Sequence, residues 1–138
     1  MLNSMGGASG VIFGSMFLGG VKGLSPIYTL DCSNFTRIFR GSLEAIKTRG
    51  KAAVGDKTMV DALEPAVIAM ENAQQEDLIS LLNIAANAAA EGVENTKKYM
   101  AKFGRAKSLM ERAIGYQDAG ATSVSIIFTA MHDYLLTL

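Results

Sequence analysis

Between Arg49 and Ala66 the chain reads R-G-K-A-A-V-G-D-K-T-M-V-D-A-L-E-P-A, which sets Gly50 and Gly55 beside Lys51, Lys57, Asp56, Asp61 and Thr58. Glycine N–H groups, ammonium groups and carboxylates are what a polyphosphate with a divalent cation requires. Gly50 to Thr58 is G-x-x-x-x-G-D-K-T, one acid longer than the G-x-x-x-x-G-K-[ST] of a P-loop. A P-loop follows a strand. Here Phe35, Ile38, Phe39, Leu43 and Ile46 precede Gly50 at helical spacing. That excludes a P-loop and leaves a glycine-lined loop between two helices, a place where a helical protein puts a site.

Two other stretches carry compatible chemistry. Gly6-Gly7-Ala8-Ser9-Gly10 opens a helix, whose free N-terminal N–H groups suit a phosphate. Gly6, Gly10 and Gly14 are four apart and share one helix face, so close helix packing explains them equally well. Phe103 to Thr122 breaks all periodicity and carries Arg105, Lys107, Arg112 and Asp118. Unstructured loops of that length are usually functional.

Arg105 and Arg112 suit bidentate contact with oxyanions, and Lys51 and Lys57 serve as point charges. Asp56, Asp61 and Asp118 could hold Mg²⁺ or order the cations. If the three stretches converge, the inventory suits a nucleotide polyphosphate; if not, each acid caps a helix and each base is solvated. Nucleophilic catalysis has little support. Cys32 has no histidine near it in sequence, and His132 sits on a helix near the chain end, where a surface role is expected. No Glu-x-x-His pair offers a helical metal site. No catalytic residue and no metal ligand is assigned.

The elements that must position these groups are helices. The first is expected over Ala8 to Lys22, followed by a connection through Pro26. Ser33 is the expected N-cap of the second, Lys47 and Arg49 suit its C-terminus, and Gly50 the residue beyond. The next helix starts near Asp56 or Thr58, with Thr58 and Asp61 as a capping-box variant and Val60, Leu63, Val67 and Met70 as its stripe. Pro65 leaves the Asp61 carbonyl without its usual donor and predicts a kink. Asn72 to Glu76 is turn-like. Asp77 to Lys102 is the longest pattern, with Leu78, Leu81, Leu82, Ala85, Ala89, Val93, Thr96 and Met100 on one face and Lys97, Lys98 and Lys102 in its last turns. The last helix spans Gly120 to Leu136. No run alternates as a strand does, so the fold class is all-α.

The 138 residues, 49% hydrophobic and 19% charged, suffice for one domain with a true core. Zero formal net charge argues against a nucleic-acid binder that works by phosphate neutralisation. One cysteine excludes a disulfide framework and fits a reducing, cytoplasmic compartment. Met1 to Val21 is uncharged but contains six glycines and three serines and lacks a positive n-region. Neither a signal peptide nor a membrane span is expected.

Three segments together resemble the nucleotide-binding (L) subunit of bacterial dihydroxyacetone kinase and the matching C-terminal domain of the ATP-dependent kinases. They are Gly6-Gly7-Ala8-Ser9-Gly10 with Phe13-Gly14; Arg49-Gly50-Lys51 with Gly55-Asp56-Lys57-Thr58-Met59 and Asp61; and Gly104-Arg105-Ala106 with Glu111-Arg112, Ile114-Gly115 and Gln117-Asp118 to Gly120-Ala121-Thr122-Ser123. The resemblance implies an antiparallel helix barrel with ADP or ATP and Mg²⁺ at one rim. It further implies transfer of a phosphoryl group to dihydroxyacetone on a partner subunit, with a phosphotransferase-system subunit or ATP as donor. By resemblance, Ala8 and Ser9 meet the phosphates, Gly50 and Met59 flank the adenine, and Arg105 with Asp118, Ala119 and Gly120 completes the site. Asp56 becomes a helix cap.

The chain departs from the family at Val11 and Ala119, where proline is usual, and at Tyr116, where histidine is usual. The family's metal ligands lie in a Gly-Asp-x-Asp-His-Gly motif N-terminal to the glycine segment. The expectation is therefore residues 1–138 as one partial nucleotide-binding domain of about five helices, a poor catalyst alone. An opened barrel would expose an apolar seam, which predicts a homo-oligomer. The alternative is a degenerate, non-catalytic helical module serving interaction or regulation.

Overall fold

The computed structural model describes residues 7–74 and 77–138, with 7–9 and 105 described by their backbone alone. Its order is α1 (Gly7–Val21), α2 (Cys32–Gly50), α3 (Val60–Asn72), α4 (Leu78–Thr96), a 3-10 segment (Arg105–Ala113) and α5 (Ala119–Leu135). Among the described residues there is no strand. The all-α expectation holds.

The helix ends differ from expectation in instructive ways. Asp31, not Ser33, caps α2: its carboxylate accepts the Asn34 N–H at 2.7 Å, and Ser33 lies inside the helix. Gly50 is still helical. Lys51 takes the left-handed turn instead, at φ 54°, and its N–H bonds the Lys47 carbonyl at 2.9 Å. The Thr58–Asp61 box forms at the entry to α3. Asp61 Oδ2 accepts the Thr58 N–H at 2.7 Å, and Thr58 Oγ1 accepts the Val60 N–H at 3.2 Å. α3 continues through Pro65, and the Asp61 carbonyl that the proline frees lies against Gly92 of α4. α4 stops at Thr96, well short of Lys102. Met100 is consequently exposed instead of continuing the buried face.

Successive helices run antiparallel. Arg49 Nη1 donates to Ser15 Oγ at 3.3 Å across α1 and α2. Lys47 pairs with Glu64 at 2.8 Å and Arg40 with Glu71 across α2 and α3. Gln117, just before α5, donates to Glu94 of α4 at 2.6 Å. The core fills the space among α2 to α5 with Leu43, Ile46, Leu63, Val67, Leu82, Val124 and Phe128. Phe39 sits with its ring 4.8 Å from both Phe35 and Phe128, a spacing that favours tilted aromatic contact.

α1 adds Phe13 and Met16 to this core, packs chiefly on α2, and leaves Phe17, Leu18 and Val21 exposed. The tight crossing of α1 and α2 falls at Gly19 and Gly20 against Gly41, where a methyl on Gly41 would stand 3.1 Å from the Gly19 carbonyl oxygen. Of the glycines expected to share a face, Gly10 and Gly14 are buried and Gly6 lies outside the described residues. Among the described residues no helix is long and apolar enough to cross a membrane.

Candidate functional site

Alternating helix direction brings the starts of α1, α3 and α5 and the ends of α2 and α4 to one end of the bundle. Each helix start turns the positive end of its dipole toward this end, and at α3 and α5 side chains already accept N–H groups, Thr58 Oγ1 from Val60 and Asp118 Oδ2 from Ala121. The connections 51–59 and 97–118 also lie here.

Two buried acids shape the 51–59 loop. Asp61 is 1% exposed and its two oxygens accept the Gly55 N–H at 2.6 Å and the Thr58 N–H at 2.7 Å. Asp56 Oδ2 accepts the Ala53 N–H at 2.9 Å, while Oδ1 pairs with the Lys102 ammonium. The Lys102 ammonium, with the Ala53 amide, holds the Asp56 carboxyl below the usual aspartate range. Asp56 is therefore not the helix cap the sequence suggests; it braces a loop. Lys102 is not a helix-end residue either, since its own N–H bonds the Asp56 carbonyl at 3.2 Å.

Lys57 corrects the sequence expectation more sharply. It is 3% exposed, and its Nζ donates to the Thr96 carbonyl at 2.7 Å and the Tyr116 carbonyl at 2.5 Å. It is no free point charge. Burial pushes its ammonium below the ordinary lysine range, and the nearby Asp118 and Asp61 carboxylates partly oppose this.

The stretch 103–122, expected to be unstructured, holds the 3-10 segment, interrupted at Met110 (φ 48°, ψ −126°). Gly115 N–H ties it to the Lys97 carbonyl at 2.7 Å. Asp118 then caps α5, its Oδ2 accepting the Ala121 N–H at 2.8 Å, while its own N–H donates to Thr96 Oγ1 at 2.9 Å. Burial pushes the Asp118 carboxyl up.

Of the candidate residues, Met59, Asp118 and Gly120 meet. A methyl on Gly120 would lie 3.0 Å from Asp118 Oδ2 and 3.3 Å from Met59 Cβ. Met59 is itself buried in the core. Ala119 stands exposed between Asp118 and Gly120. Gly50 faces α1, with the Ile12 side chain 3.6 Å from where its Cβ would be. Ala8 and Ser9 form the first turn of α1, one turn before Ile12. Arg105 opens the 3-10 segment. Lys51 and Arg112 are exposed.

A Mg²⁺ donor set does not fit these residues. Both carboxylate oxygens of Asp56 and of Asp61, and one of Asp118, already accept backbone or lysine hydrogens. Among the described residues no three acids, histidines or cysteines gather as metal ligands. The residues that sequence reasoning missed are Lys57 as a buried strut and Thr96 as its partner. Neither gives a local signal, because the Lys57–Thr96 contact spans 39 residues.

Comparison with known proteins places this architecture. The profile of the DAK2 domain matches residues 1–133. The ADP-binding subunit DhaL of PEP-dependent dihydroxyacetone kinase 1 from Listeria innocua is 40% identical over 131 residues, covering 95% of this chain and 61% of that protein. The ADP-binding subunit DhaL of the PEP-dependent dihydroxyacetone kinase of Escherichia coli is 36% identical over 126 residues, covering 90% of this chain and 60% of that protein. The chain thus spans about three fifths of the length of these relatives. The crystal structure of the dihydroxyacetone kinase from C. freundii in complex with AMP-PNP and Mg²⁺ superposes with a TM-score of 0.64 at 27% identity, over 94% of this chain and 20% of that one. By this match of sequence and fold, the chain belongs to the DAK2 domain family.

Proposed function

We propose that this chain is the nucleotide-binding part of a dihydroxyacetone kinase. ADP or ATP sits at the end where α1, α3 and α5 start. The N–H groups at Ala8 and Ser9 face the phosphates, Gly50 and Met59 line the adenine side, and Arg105 with Asp118 to Gly120 closes the site. The phosphoryl group passes to dihydroxyacetone on a partner subunit. The relatives are ADP-binding subunits of PEP-dependent kinases, which favours a phosphotransferase-type donor subunit, and the single cysteine fits a cytoplasmic setting. The observation that carries the reading is the seating of Gly120 on Met59, which joins two of the three motif segments at one wall. Phosphoryl transfer depends on positioning and on neutralising phosphate charge. The exposed Phe17, Leu18 and Val21 of α1 further lead us to propose a homo-oligomer that covers them, which light scattering tests.

Calorimetry with ADP and MgCl₂ tests the nucleotide reading. Binding in the micromolar range or tighter supports it. A folded protein without binding overturns it in favour of a non-catalytic helical module, a reading that the engaged carboxylates of Asp56 and Asp61 favour.

A further inference from the structure

Lys57 is a buried ammonium to which the nucleotide reading gives no part. Its backbone is left-handed, with φ 58°, a conformation that is unfavourable for an L-residue. The side chain spans two segments that lie far from it in sequence, 39 and 59 residues on. One is the C-terminal end of α4, at the Thr96 carbonyl, where the helix dipole is negative and a cation is favoured. The other is the approach to α5, at the Tyr116 carbonyl, two residues before the Asp118 cap. Thr96 closes the circuit, because its Oγ1 accepts the Asp118 N–H. Met59, two residues beyond Lys57, is the residue on which Gly120 rests.

We propose that Lys57 is a positioning residue: its ammonium clamps the approach to α5 onto the end of α4, so that the Asp118–Gly120 turn stays seated on Met59 as a preformed nucleotide wall. This rests on the nucleotide reading above. The wall is assembled before ligand arrives, so binding is spared the cost of ordering it. A lysine suits the place because one compact ammonium reaches two converging carbonyls, whereas a guanidinium is planar and larger.

The test compares Lys57→Met with a core variant of similar instability away from the rim, Met70→Ala, near the opposite end of α3. Two quantities are read: amide hydrogen exchange in the unliganded protein, and ADP affinity by calorimetry with MgCl₂. In Lys57→Met the amides of Asp118 to Thr122 should exchange about tenfold faster or more, and ADP affinity should fall about tenfold. Met70→Ala, at an equal loss of Tm, should leave both within about twofold. Unchanged exchange over Asp118 to Thr122 in Lys57→Met overturns the clamp. An affinity loss no larger than that of Met70→Ala overturns the positioning role and reduces Lys57 to core support. Wild-type protein that binds no ADP sinks the nucleotide reading instead, and exchange alone then decides the clamp. If Lys57→Met does not fold, Lys57→Gln, which retains a donor, is read by the same criteria.

Discussion

Gly92 of α4 lies against the carbonyl oxygen of Asp61 in α3, with no room between them for a methyl group. Pro65 deprives that carbonyl of its helical donor, and the glycine lets α4 come close enough to cover it. A proline and a glycine on two helices, each unfavourable alone, together set the spacing of α3 and α4 beneath the rim.

Gly92→Ala should therefore be far more costly than its helix propensity suggests. Alanine favours the helix by nearly 1 kcal/mol, yet forcing the helices apart costs about 2 to 3 kcal/mol. Net destabilisation in urea titration is expected. A variant as stable as wild type would show that α4 slides freely over Asp61.

Asp118 should give opposite results with two substitutions. Asp118→Ala removes the cap of α5 and should cost about 1 kcal/mol. Asp118→Asn keeps a capping oxygen and removes a charge that burial disfavours. The native Asp118 carboxyl lies above its unfolded value, so its contribution to stability is present in acid and lost as pH rises through the native pKa. The advantage of Asp118→Asn over wild type should thus be largest near neutral pH and shrink in acid. Urea titrations at several pH values decide it, and a gap that widens in acid would contradict the burial assignment.

Asp56 carries the other sign. Its native carboxyl lies below the unfolded value because of Lys102 and the Ala53 amide, so its contribution is present at neutral pH and lost as pH falls through the native pKa. Asp56→Asn should be less stable than wild type at pH 7, by about 1 to 2 kcal/mol, with the two converging in acid. Lys102→Ala should cost less, about 0.5 kcal/mol, because the lysine side chain is 63% exposed and its pairing is screened by water. Thermal melts across pH check both, and equal losses for the two variants would place the stabilisation in the ion pair and not in the loop amide.

The sequence made the helices legible wherever apolar periodicity met a neighbouring helix. Phe35, Phe39, Leu43 and Ile46 of α2 and Leu63, Val67 and Met70 of α3 are buried as their spacing requires. Helix ends were less legible. Asp31 and Ser33 are equally good caps on local grounds, and only the folded chain selects between them. The run Lys97, Lys98, Lys102 matches the preference of a helix C-terminus, but Lys102 answers to Asp56, 46 residues away. The site was legible as motifs and not as roles: Lys57 and Asp61 were recognised as chemistry-bearing residues, yet their partners are loop amides and distant carbonyls. In the 103–122 stretch, short-period 3-10 turns leave no stripe to read.

The α1–α2 crossing has a consequence for motion. Gly41 rests on the main chain of Gly19 and Gly20, and the side chains of Ala45, Ser42 and Ile38 press on the same two glycines, so this end of the seam has no space for added bulk. α1 packs chiefly on α2, and its release would leave the contacts among α2 to α5 in place. Such an opening would carry the start of α1 away from the wall that Met59 and Gly120 form at the same end of the bundle. In the nucleotide site proposed above, a ligand bridging the start of α1 and that wall would act as a latch, and the population of the closed state would follow ligand concentration.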